Sequence, residues 1–83
     1  MRKKKRTTNQ KENSLDLHGV PHHEVKSKVI RKVEEYWNTD IEVEFVTGDS
    51  NRMKSLVKEV LDEYQLSYTE GSFFNSGVIK SRI

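Results

Sequence analysis

Apolar and polar positions recur with two different periods along this chain, and each change of period marks an element. Leu15 and Leu17 alternate with Asp16 and His18, the two-residue period of a strand with one buried face. Gly19 ends that strand. Val25, Val29, Val33 and Tyr36, widened by Ile30 and Trp37, recur at helical spacing, while Lys26, Lys28, Arg31 and Lys32 lie off the stripe. The pattern predicts an amphipathic helix from about Pro21 to Trp37, closed by Asn38-Thr39-Asp40. Pro21 suits its first turn, where a missing N–H costs nothing. Trp37 could be a base-stacking platform, but as a continuation of the stripe it reads more readily as core. Ile41, Val43 and Phe45 alternate with Glu42 and Glu44 in a second strand, Ile41–Val46. Met53, Leu56, Val57, Val60, Leu61 and Tyr64 make a second helical stripe. Leu66–Thr69 and Val78–Ile83 read as short strands joined by Gly71–Gly77, hence a hairpin.

Strand, helix, strand, helix, strand, strand is the order of an α/β fold, a two-layer βαβαββ sandwich with a mixed four-stranded sheet. The first βαβ unit is expected to be a right-handed crossover with parallel strands. Each helix carries one apolar stripe, and the strands alternate, so both helices cover one face of the sheet and the other stays open. Asp16, His18, Glu42 and Glu44 belong to the open face. Lys80 and Arg82 are expected beside them, because opposite charges across strands stabilise. The pattern does not define where the third and fourth strands sit.

Composition sharpens this. The chain is 33% hydrophobic and 34% charged, with a mean hydropathy of -0.87, and the low values come from uneven distribution. Residues 1–14 hold six basic residues against Glu12, a balance of +5, while the rest carries nine basic and twelve acidic residues, or −3. The pI near 8.9 therefore belongs to the tail, and the body is not a basic nucleic-acid binder as a whole. Met1–Ser14 has no apolar residue after Met1 and is expected to be disordered, leaving residues 15–83 as one domain with a thin core. Lys3, Lys4 and Lys5 have two readings, an arm on phosphates whose affinity falls with salt, or a solubilising tail. The absence of cysteine excludes disulfides and thiolate metal sites. No apolar run approaches the roughly 18 residues of a membrane span. The basic start leads into no apolar segment, so it is not read as a signal peptide. The expectation is a soluble cytoplasmic monomer with no membrane partner.

Ligands of open α/β sheets bind at the carboxyl ends of parallel strands. That edge would collect His18-Gly19 from the first strand and Thr47-Gly48-Asp49-Ser50 from the second. The second loop enters a helix N-terminus whose free N–H groups favour an anion, and Arg52 and Lys54 add positive charge. Asp49 or Ser50 can instead cap those N–H groups, so the loop reads as a cap or as a phosphate cradle. Asp16 and His18 would lie about 6.6 Å apart along a strand, at about 3.3 Å per residue, a spacing suited to flanking one phosphodiester. His18 can transfer a proton near neutral pH, and Asp16 can orient water, tune His18 or bind hydrated Mg2+ or Mn2+. The plainer reading has Asp16 capping loop N–H groups and His18 packing over the sheet edge. A zinc site at His22 and His23 is set aside, because neighbouring helical residues diverge and too few further ligands lie nearby. Phe73 and Phe74 could stack on single-stranded bases, or divide between core and solvent.

Leu15-Asp16-Leu17-His18-Gly19, followed by a helix carrying Glu24 and a strand ending in Thr47-Gly48, resembles the Smr (small MutS-related) domain family. Asn75-Ser76-Gly77-Val78-Ile79 is similar to that family's closing strand, so the resemblance covers about residues 15–83. It implies a βαβαββ sandwich that binds nucleic acid and, in several members, an endonuclease that nicks DNA or cleaves RNA, sometimes on ribosome-associated messages. By motif, Asp16 and His18 match residues linked with cleavage and Gly19 the turn, while Thr47 and Gly48 begin the TGxG loop that contacts nucleic acid. Ser50 stands where that motif has its second glycine. The resulting expectation is a nucleic-acid-binding hydrolase, with RNA favoured over DNA. The alternative is a non-catalytic module docking on nucleic acid or a ribonucleoprotein.

Overall fold

A computed structural model of the chain describes residues 13–71 and 77–83. Six elements follow in order: β1 (Ser14–Asp16), α1 (His22–Glu35), β2 (Glu42–Val46), α2 (Asn51–Glu63), β3 (Tyr68–Glu70) and β4 (Val78–Arg82). The sheet order is β1-β2-β4-β3. β1 runs parallel to β2, whereas β4 runs antiparallel to both β2 and β3. The last strand is therefore inserted between two parallel ones, a placement that periodicity could not define.

The core consists of the faces that the alternation selects. Val43 and Phe45 of β2, Ile79 of β4 and Leu17 just past β1 are fully buried. Against them pack Val25, Val29 and Val33 of α1 and Met53, Leu56, Val57, Val60 and Leu61 of α2. Glu42, Glu44, Lys80 and Arg82 occupy the opposite face, where Glu44 lies opposite Lys80 and Glu42 opposite Arg82. Ser81 is buried on the helix side and is satisfied there, its hydroxyl donating to the Ser67 carbonyl at 2.7 Å. This is the expected two-layer α/β sandwich.

The element ends differ from the pattern in physically explicable ways. β1 begins at Ser14, because the Glu44 N–H donates to the Asn13 carbonyl at 2.9 Å and extends the ladder. α1 stops at Glu35, and Pro21 sits at its N-cap rather than within the helix. Trp37 consequently leaves the helical stripe. It is 52% exposed, its ring 5.6 Å from that of Tyr64, and is not core. Asn38 and Asp40 follow with positive φ, turning the chain into β2 and leaving Ile41 41% exposed. No helix among the described residues is long and apolar enough to cross a membrane. Asn13 and Ser14, expected to belong to a disordered tail, are instead ordered by the ladder to β2; the expected disorder of residues 1–12, the arm role of Lys3, Lys4 and Lys5, and the stacking role of Phe73 and Phe74 fall outside the described residues.

Two ion pairs tie α2 to its neighbours. Lys26 Nζ meets Glu59 Oε1 at 2.7 Å across the two helices, and Lys58 pairs with Glu70 of β3. Hydrogen bonding by its lysine holds each glutamate below the usual carboxylate range, with the lysine's charge acting in the same direction. A carboxyl depressed on folding stabilises the protein above its unfolded value, here 4.5, and that contribution is lost as pH falls through the folded value. Urea midpoints at neutral pH and at about pH 3.5 should therefore fall less in a Glu59→Gln/Glu70→Gln variant than in wild type. Equal falls would mean that the pairs contribute nothing.

Candidate nucleic-acid interface

The exits of β1 and β2 are level. Asp16 pairs with Val46, and the Leu17 N–H continues the ladder to the Val46 carbonyl at 2.9 Å. Leu17 is drawn into the core, so the chain must reverse at once to reach α1. It does so in a turn closed by the Val20 N–H on the Leu17 carbonyl at 3.0 Å, with Gly19 at φ +81°. The third position of a type II turn demands that conformation, which glycine adopts without strain.

His18 thus lies in the turn beyond the strand end, and strand alternation does not govern it. Asp16 Oδ1 accepts the backbone N–H of His18 at 2.9 Å, an Asx-type bond that fixes the start of the turn. Both side chains are exposed. The plainer expectation for Asp16, a cap on a loop N–H, is realised; Asp16 and His18 remain neighbours at the mouth of the edge.

β4 supplies the third wall, since Val46 pairs with Val78 and Gly77 therefore lies beside Thr47. The Gly77 carbonyl receives the Thr47 N–H at 2.7 Å, the Gly48 N–H at 3.1 Å and the Thr47 hydroxyl at 3.0 Å. Thr47 is only 3% exposed, so its side chain braces the loop from within rather than reaching outward. A Cβ on Gly77 would come within 2.9 Å of the Gly48 Cα, backbone against backbone. That contact explains the glycine in the closing strand.

Past Gly48 the chain enters α2 through Ser50, whose hydroxyl accepts the Met53 N–H at 3.0 Å. The cap is Ser50, and Asp49 stays exposed in the loop. No acidic residue lies in the first turn of α2. Among the described residues, nothing accepts from the amides of Asn51 and Arg52, two of the outward donors at a helix start. Arg52 is exposed and Lys54 half-exposed on the same turn. The structure thus brings Asp16, His18, Gly19, Gly48, Ser50, Arg52 and Lys54 to one edge. It turns Thr47 inward and adds Gly77, whose importance depends on a sheet order invisible in the pattern.

No group of three or more His, Asp or Glu side chains is placed to hold a metal ion among the described residues, and Asp16 already commits one oxygen to the turn. No family model matches the chain, and no curated protein or solved structure gives a match.

Urea denaturation of three variants checks this account of the edge. Gly77→Ala should cost about 1–3 kcal/mol, because two backbones cannot separate to admit a methyl group. Ser50→Ala should cost about 1 kcal/mol through the lost cap, and Ser50→Gly only a few tenths. A neutral Gly77→Ala would contradict the close approach.

Proposed function

We propose that the chain is a small nucleic-acid-binding domain of the Smr kind that cleaves phosphodiester bonds, with RNA favoured over DNA. The single observation that carries this reading is the level exit of β1 and β2, which sets exposed Asp16 and His18 beside a helix start that offers free N–H groups, Arg52 and Lys54. One edge then supplies both an anion seat and a proton-transfer group, the combination that phosphodiester cleavage needs. The resemblance carried by Leu15–Gly19 and Thr47-Gly48 points the same way. A ribosome-bound message is a substrate consistent with it.

The backbone N–H groups at the start of α2, with Gly48, Ser50, Arg52 and Lys54, would hold the phosphate. His18 would accept the 2′-hydroxyl proton as O2′ forms a bond to phosphorus. The bond from phosphorus to O5′ then breaks, and O5′ takes a proton from the imidazolium or from water. Asp16 holds the His18 backbone in the turn through its Oδ1. Its role is therefore to position the imidazole. The basic residues of the tail, Lys3, Lys4 and Lys5 among them, would add non-specific affinity for the phosphate backbone.

A second reading, a non-catalytic nucleic-acid module, is favoured by one observation. The Asp16 carboxylate is engaged as a turn cap, a structural task that needs no chemistry.

The test uses purified wild type and His18→Ala on labelled single-stranded RNA, duplex RNA and supercoiled DNA, with EDTA and with Mg2+ or Mn2+. Wild type should cleave at least one substrate. The variant should lose about a hundredfold or more in rate, with binding retained within a few fold. Equal cleavage by a folded variant would remove His18 from the mechanism. Binding without cleavage by wild type on every substrate would establish the module instead.

A further inference from the structure

Nine lysines and arginines lie among the described residues, and five of them meet a carboxylate: Lys26, Lys32, Lys58, Lys80 and Arg82. The other four make no ion pair among the described residues, and they fall in two places. Arg52 and Lys54 stand at the edge where α2 begins. Lys28 and Arg31 stand on the side of α1 next to β1, where with Leu15, Lys32 and Glu35 they line an open groove of about 160 Å³. Glu35, 3.5 Å from Lys32, offsets that lysine, so the groove keeps a fixed excess of two positive charges. Glu24, one turn before Lys28, lowers that excess without abolishing it.

The groove's place in the fold gives this charge a direction. β1 is the outermost strand at its end of the sheet, so no strand covers its far side among the described residues. β1 and β2 are parallel, so α1 runs back along β1 from the His18 edge toward Asn13. Lys28 and Arg31 lie about 9 and 14 Å along the helix from His22, at about 1.5 Å per residue. Asn13 joins this end of β1 to residues 1–12, which hold six basic residues against Glu12. Unpaired positive charge therefore occurs at the edge, beside β1 and in the sequence that joins β1, although residues 13–83 carry nine basic and twelve acidic residues. A second copy presenting its own Lys28 and Arg31 to this strand would be repelled, whereas a polyanion is attracted at each step.

We propose that this groove is a phosphate-binding track, along which the backbone of a single-stranded nucleic acid held at the His18 edge continues over Lys28 and Arg31 toward the basic N-terminal segment. The proposal rests on the nucleic-acid reading above and adds the direction in which the strand leaves the edge. The ammonium of Lys28 and the guanidinium of Arg31 take phosphate oxygens, and both are permanently charged across the neutral range. Such contacts position a strand without reading its bases.

The experiment measures binding of a labelled single-stranded RNA, 2′-O-methylated so that it is not cut, at one neutral pH over a range of salt. It compares the full chain as wild type, as Lys28→Gln/Arg31→Gln, and as Lys80→Gln/Arg82→Gln, which removes the same charge from the open face. Lys28 and Arg31 are exposed, and circular dichroism verifies that both variants are folded. Loss of two contacts on a single strand should reduce the log–log salt slope by about 1.4. At a factor of roughly 1.5 to 5 per exposed contact, binding should weaken about fivefold. The open-face variant should keep the wild-type slope. A groove variant with the wild-type slope, or equal losses in the two variants, would overturn the track while leaving nucleic-acid binding intact. A wild type that binds neither this RNA nor single-stranded DNA of the same sequence would overturn the nucleic-acid reading and the proposal with it.

Discussion

The Gly77 carbonyl receives donors from the Thr47 N–H, the Gly48 N–H and the Thr47 hydroxyl, and the geometry of the candidate edge depends on that convergence. It ties the residue just before β4 to the two residues just after β2. Thr47 is buried, and its hydroxyl lies within reach of the Gly77 carbonyl at 3.0 Å and the Gly48 carbonyl at 3.1 Å, so its proton has an acceptor inside the loop. The Cα of Gly48 lies where a Cβ on Gly77 would have to go, so the two backbones are in contact and leave the loop little room to shift. With β1 paired on the other side of β2, three chain segments are level at one edge. The turn at Gly19 and the cap at Ser50 then launch α1 and α2 from that edge.

The proposed function draws on what this arrangement leaves outside. The helix layer buries one face of the sheet, and the opposite face spends its charges on pairs such as Glu44 with Lys80, their side chains 4.0 Å apart. The loops at the edge, by contrast, hold exposed His18 and Arg52 with helix-start N–H groups and no acidic residue in the first turn of α2. A mildly acidic body can in this way present a local anion seat. Net charge alone argued against such a surface; its distribution permits one.

Alternation and helical spacing made the layers legible. Val43 and Phe45 against Glu42 and Glu44, and Val25, Val29 and Val33 along α1, each have a burial that period alone dictates. The position of β4 was not legible, because a strand inserted between two parallel neighbours has the same alternation as one at an edge. Gly77 could not be recognised as the brace for the same reason. Trp37 was misread because the helical stripe was extended past a helix that ends at Glu35, two residues earlier. Asp16 and His18 were found as a pair, but their relation changed. The turn begins one residue sooner than the alternation suggests, so the carboxylate holds a backbone N–H and His18 leaves the strand.

The central claim is that nucleic acid engages the edge braced by Gly77. Amide chemical shifts of the 15N-labelled full chain, followed during titration with a short single-stranded RNA, test it residue by residue. The account predicts saturable shifts concentrated at Leu17–Gly19 and Gly48–Arg52, with the open-face residues Glu42, Glu44, Lys80 and Arg82 unmoved. Shifts confined to the open face, or no shifts at Leu17–Gly19 and Gly48–Arg52, would contradict it.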